Sequence, residues 1–193
     1  GYDDDIFKRT NKITAMSAGT SWYASVFGGL LIEQYARIPC SAEFSSELRY
    51  KNPIVNKDDV FLAVSQSGET ADTLYAMREI HEKGGKVFGI CNVVGSSIAR
   101  ESDGGAFIHA GPEIAVASTK AFSNTLIIFY LLALKFARQR EMSKEDGAKF
   151  IEQIMMQPRL VKEALKNKDK VMQIAKKYAK CKDFLYLGRG LMY

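Results

Sequence analysis

Val60-Phe61-Leu62-Ala63-Val64-Ser65-Gln66-Ser67-Gly68-Glu69-Thr70-Ala71-Asp72-Thr73-Leu74 is the stretch that decides how this 193-residue chain is read. A run of apolar residues makes a short buried strand, and the hydroxyls, amide, glycine and acid that follow make a polar turn. From Thr70 the period changes: Leu74, Met77, Arg78 and His81 share one face of a helix. A strand that delivers a helix through such a turn aims the unpaired N–H groups of the first helical turn at whatever sits there. The helix dipole adds partial positive charge, so the turn suits an anion. The same residue types also serve as ordinary turns and N-caps. No GxxxxGK[ST] is present and no GxGxxG opens a helix, which disfavours a nucleotide and favours a small phosphorylated metabolite.

Upstream, Ile13 to Ser17 reads as another short buried strand, Ala18 to Ser21 as a second strand-to-helix turn, and Trp22 to Tyr35 as its helix. Ser41 to Phe44 is a short strand candidate; Ser45-Ser46-Glu47 opens a brief helix that Asn52-Pro53 ends. Downstream, Gly84-Gly85 stops the helix and Lys86 to Cys91 is a strand. A turn over Asn92 to Gly95 leads into a short helix ending near Glu101. Ala106 to His109 is the last strand of this part. The loop Gly111 to Ser118 then feeds a long helix from about Thr119 to Gln139, apolar almost all round.

Strands alternating with helices predict an α/β fold: a three-layer, doubly wound sandwich around a five-stranded parallel sheet of flavodoxin-like order 2-1-3-4-5. In that order the switch point lies between strands 1 and 3, where ligands bind beyond the carboxyl ends. Ala18 to Ser21 and Ser65 to Thr70 would then face each other across one crevice.

The domain reading is residues 1–11 as linker, 12–142 as the α/β domain, 143–182 as a helical segment packing on it, and 183–193 as the start of a second α/β unit. That last expectation rests on Asp183 to Leu187 as a strand followed by Gly188-Arg189-Gly190, an opening like the first unit's. Within the helical segment, Gln157-Pro158 is expected to divide one helix from the next. Composition excludes several classes. Apolar residues make up 47% of the chain and the net charge is +5, with lysines crowded near the end but interleaved with acids and lacking an aromatic platform. Nucleic acid is therefore not an expected partner. Cys40, Cys91 and Cys181 have no CxxC or Cys/His spacing, so neither a disulfide framework nor a metal site is expected, and no cofactor. The apolar run Thr125 to Ala137 is too short to span a bilayer and no secretion signal opens the chain, so a cytoplasmic location without membrane contact is expected.

Several strings resemble the sugar isomerase (SIS) domain family: Gly19-Thr20-Ser21, Ile38-Pro39-Cys40, Ser65 to Thr73, Ile90-Cys91-Asn92, Gly95-Ser96-Ser97, Glu113-Ile114, Val116 to Phe122, and Leu187 to Gly190. Within that family they are most similar to the first SIS unit of the glutamine:fructose-6-phosphate aminotransferases. The resemblance implies the SIS fold and binding of a sugar phosphate: fructose-6-phosphate, glucosamine-6-phosphate or glucose-6-phosphate. It implies that Ser65, Gln66, Ser67 and Thr70, with Ser21, hold the phosphate, and that Thr20, Val116 and Ser118 meet the sugar. It also implies a homodimer or higher oligomer.

In the family the proton-moving glutamate and the imine-forming lysine lie beyond residue 193, and a histidine comes from a neighbouring subunit. No catalytic residue is therefore expected in this chain. Lys120 and Glu113 are the ionisable neighbours, with Lys120 expected in packing or a salt bridge. His81 and His109 are expected to be packed or solvated. The whole enzyme would make glucosamine-6-phosphate from fructose-6-phosphate and glutamine. A non-catalytic SIS module that senses phosphosugars is the alternative, and no helix-turn-helix is read in residues 1–12 to support it.

Overall fold

The computed structural model describes residues 5–114 and 117–190. The chain divides into two compact units, residues 1–142 and 143–193.

The first unit runs α1 (Asp5–Arg9), β1 (Lys12–Ser17), α2 (Thr20–Ala36), β2 (Cys40–Phe44), α3 (Ser45–Leu48), β3 (Asp59–Ser65), α4 (Ala71–Glu82), β4 (Lys86–Cys91), α5 (Ser97–Glu101), β5 (Gly104–Phe107) and α6 (Lys120–Arg138). The strands form one parallel sheet in the order β2-β1-β3-β4-β5, as the alternation of elements predicts. β3 is buried along its whole length, the mark of a strand covered on both faces. Its residues divide between two cores: Val60, Leu62 and Val64 join the α2 and α6 side, while Phe61 and Ala63 join Leu48, Ala76, Met77 and Ile80 on the α3 and α4 side.

Helix α6 packs on α2. A Cβ placed on Gly28 would lie 2.1 Å from the ring of Phe129, which is fully buried, so the absence of a side chain at Gly28 creates the slot the ring fills. α6 is long and apolar enough to cross a membrane. Here Ala121, Thr125, Phe129, Ala133, Phe136 and Ala137 are buried along it, as in the core helix of a folded domain.

Two elements differ from their expected bounds. β5 begins at Gly104, earlier than Ala106, and ends before His109. Gly89 and Gly105 are partners in the register, and a Cβ on Gly105 would stand 1.8 Å from the Gly89 carbonyl oxygen. The glycines that read as breakers are thus what lets β4 and β5 approach. Residues 5–9, inside the stretch expected as linker, form α1. Phe7 is buried and meets Phe136 edge-on at 5.0 Å; a single turn is too short to display a period, and its stability comes from the surface α6 offers.

The second unit holds α7 (Lys144–Leu165) and α8 (Lys168–Tyr178). Ser143 caps α7, its Oγ accepting from the Asp146 N–H at 3.0 Å. α7 runs through Pro158 without the expected break. A proline removes one donor, and on these exposed turns water can satisfy the carbonyl left over. Asp183 to Leu187, expected as a strand, are not in one. A strand exists only by pairing, and none of the described strands is its partner.

Candidate functional site

β1 and β3 are neighbours in register, Ser17 opposite Val64. Their carboxyl ends therefore release the two hydroxyl-rich turns side by side at the point where the strand order reverses. Ser65 closes β3 and is buried. Its hydroxyl accepts from the Gly68 N–H at 3.1 Å and shares a 2.8 Å hydrogen bond with Thr70 Oγ1. Ser67 Oγ accepts from the Glu69 N–H at 3.2 Å. Thr20 and Ser21 occupy the first turn of α2, Thr20 exposed and Ser21 half-buried. Below them Ser25 Oγ donates to the Ser21 carbonyl at 2.8 Å and bonds Ser17 Oγ at 3.0 Å. Ser118 is half-buried, just before α6. Val116 lies outside the described residues.

The 65–70 turn is clamped from behind by the segment after β4. Asn92 N–H donates to the Gln66 carbonyl at 3.0 Å, and Ile98 N–H to the Gly68 carbonyl at 3.0 Å. Gly68 has φ 68°, and a Cβ there would meet Ser96 Oγ at 2.1 Å. The turn is held in one shape before any ligand arrives.

Helix starts are treated unequally. Neither Thr70 before α4 nor Gly19 before α2 makes a side-chain capping bond, so the free N–H groups of those two helices are left for a ligand. The starts of α5 and α6 are filled by carboxylates of the protein itself. Glu69 Oε1 accepts from the Ser97 N–H at 2.8 Å. Glu113 Oε2 accepts from the Ala121 N–H at 3.0 Å and the Thr119 N–H at 3.3 Å. Sequence reasoning missed both roles, because both carboxylates lie outside the short window of a capping box, Glu69 28 residues before Ser97 and Glu113 six before Thr119.

Beside Gln66 an open cavity of about 630 Å³ is bordered by Asn92, His109 and Glu113. Asn92 spans to the loop after β5, accepting from the Ala110 N–H at 2.9 Å and donating to the Gly111 carbonyl at 2.7 Å. His109 is exposed, with φ 48°. His81 instead pairs with Asp103 at 3.1 Å from the last turn of α4, and Lys120 is exposed at the start of α6. A second cavity, about 390 Å³, lies at the amino ends of β3 and β4, around Arg9, Asn56, Asp59 and Lys86. It is at the opposite end of the sheet from the turns, where open α/β sheets do not bind their ligands. Among the described residues no three His, Cys, Asp or Glu side chains converge to hold a metal.

Four carboxyls are held below their ordinary range: Glu69 by the Ser97 N–H and hydroxyl, Glu101 by the Arg78 guanidinium, Asp103, against its partial burial, by the Val87 N–H with Lys86 and His81, and Glu113 chiefly by the Ala121 N–H. Groups with depressed folded values supply stability that is complete above the unfolded value, about 4.3 for Glu, and is lost as pH falls through the lower folded values. The thermal midpoint is therefore expected to be flat from about pH 7 to 5 and to fall below about pH 4. Glu69→Gln and Glu113→Gln should each make that fall shallower when followed by circular dichroism.

Taken together, these features define a doubly wound α/β domain with two uncapped helix starts meeting at its topological switch point. The SIS domain family model matches residues 6–135, and the chain belongs to that family. It is 46% identical over 186 residues to the glutamine–fructose-6-phosphate aminotransferase (isomerizing) of Chlorobaculum tepidum, covering 96% of this chain and 30% of the relative. The enzyme of the same name from Clostridium tetani is 44% identical over 187 residues, 96% of this chain and 31% of the relative. The chain thus spans about three tenths of the length of the curated relatives it matches. A solved structure, the C-terminal domain of glucosamine-fructose-6-phosphate aminotransferase from Francisella tularensis, superposes with a TM-score of 0.95 at 38% identity. It covers 98% of this chain and 54% of that one.

Proposed function

We propose that this chain is the sugar-phosphate-binding half of the isomerase portion of an enzyme that makes glucosamine-6-phosphate from fructose-6-phosphate and glutamine. The observation that carries the reading is the 65–70 turn, which combines converging hydroxyls with an uncapped α4 start beside the uncapped start of α2. Ser65, Gln66, Ser67 and Thr70, with Ser21, hold the phosphate; Thr20, Val116 and Ser118 meet the sugar. Hydroxyls, an amide and N–H groups bind a dianion without the grip of a bidentate arginine, so product can leave. The names of the aminotransferase relatives support the substrate. On this reading the chain binds and orients while the proton-moving and imine-forming groups come from a second SIS unit. Residues 12–142 are the first SIS unit, 143–182 the helical segment that leads onward and 183–193 the beginning of the next. The enzyme is cytoplasmic and self-associates through its SIS units.

Calorimetric titration with fructose-6-phosphate tests this. Binding is expected, and Ser67→Ala or Thr70→Ala should each weaken it about tenfold or more, the usual cost of removing a hydrogen bond to a charged group. No binding by the unsubstituted chain, or affinity unchanged from it in both variants, overturns the site.

A further inference from the structure

We propose that Glu113 is a positioning residue that sets which way a sugar phosphate lies in the crevice, an inference that rests on the site read above. Three long helices, α2, α4 and α6, follow strands β1, β3 and β5 and so begin at the carboxyl side of the same sheet. Each start would attract a dianion in proportion to its free N–H groups. Glu113 removes α6 from that competition. Its Oε2 takes the N–H groups of both Thr119 and Ala121, and its Oε1 accepts from the Thr119 hydroxyl at 3.5 Å. A bound carboxylate leaves this helix start neutral toward a ligand anion, so the phosphate is confined to the α4 and α2 turns.

The same bonds fix the backbone around Ser118. Thr119, its immediate neighbour, is tied to Glu113 through both its N–H and its hydroxyl, and Asn124 Nδ2 anchors the next turn of α6 to the Ile108 carbonyl at 2.9 Å. Ser118, which meets the sugar on the reading above, is thereby held in one position. The charged groups facing Glu113 are few. Lys120 is its cationic neighbour, and His109 borders the same cavity. Glu113 touches the helix start, and through it the sugar end of the site; it makes no hydrogen bond with the phosphate turn.

The test compares two probes on the whole chain, fructose-6-phosphate and inorganic phosphate, by titration calorimetry. With Glu113→Ala, the dissociation constant for fructose-6-phosphate should rise about tenfold, since loss of a capping carboxylate frees both the loop and a competing anion site. That for inorganic phosphate should stay within about twofold, because the 65–70 turn is untouched. Glu113→Gln, which keeps one acceptor oxygen, should recover part of the loss. A variant that is only destabilised would weaken both probes together, and that outcome overturns the proposal. So does unchanged fructose-6-phosphate affinity in Glu113→Ala. Failure of the unsubstituted chain to bind either probe overturns the site itself, and this inference with it.

Discussion

Gly68→Ala should abolish measurable fructose-6-phosphate binding, a loss of at least about a hundredfold, while the sheet itself stays folded. Two costs meet at this one carbon. The backbone sits at φ 68°, where a side chain strains the peptide by about 1–2 kcal/mol. The added Cβ would also lie 2.1 Å from Ser96 Oγ and 2.5 Å from Ser96 Cβ. Rotating the serine hydroxyl could clear the first contact, but the second is one bond from the backbone and Ser96 is buried, so the turn must move. Moving it breaks the Gly68 N–H bond to Ser65 Oγ and the Ile98 N–H bond to the Gly68 carbonyl, which together shape the anion cradle. A destabilisation of about 2–4 kcal/mol should accompany the loss, read by urea unfolding. Wild-type affinity in Gly68→Ala would show that the turn does not need this close approach.

The second large effect is expected far from the site. Gly28→Ala should lower the thermal midpoint by about 10 °C, from about 3 kcal/mol of overpacking in a chain of this size. The new methyl would stand 2.1, 2.2 and 2.5 Å from three ring carbons of Phe129, which is fully buried. The helix cannot simply retreat, since on its next residue a Cβ would already be 3.2 Å from the Cys40 carbonyl of β2. Pairing Gly28→Ala with Phe129→Leu should restore part of the loss, because a smaller side chain vacates the slot. If Gly28→Ala alone leaves the midpoint unchanged by calorimetry, α2 and α6 do not interlock there.

The strand order and the position of the two turns were legible because they depend on patterns a few residues long. β4 matches its expected bounds of Lys86 to Cys91, and β3 extends the expected Val60 to Val64 by one residue at each end. β5 shifted because its glycines are required by contact with β4, information that sits in another strand. α1 was hidden for a related reason: Phe7 is ordered by Phe136, well over a hundred residues away. Glu69 and Glu113 were concealed because neither stands at the spacing of a capping box, Glu69 acting on a helix 28 residues on and Glu113 reaching across a loop to a residue six positions on. What the residues announced was which turns carry hydroxyls; what they could not announce was which helix starts the protein would stop with its own carboxylates.

The adjacency of β1 and β3 has a consequence for the order of assembly. The chain leaves β1, builds α2 and β2 at the edge, and returns to lay β3 on the other side of β1. The two turns of the site are thus brought together by the longest-range pairing around the first strand, the kind of contact that forms late because loop closure must come first. A nascent chain has no crevice until residues past Thr70 have emerged and β3 has docked. A phosphate ester that bridges the two turns then acts as a clasp across that seam, and by mass action favours the folded register over slippage.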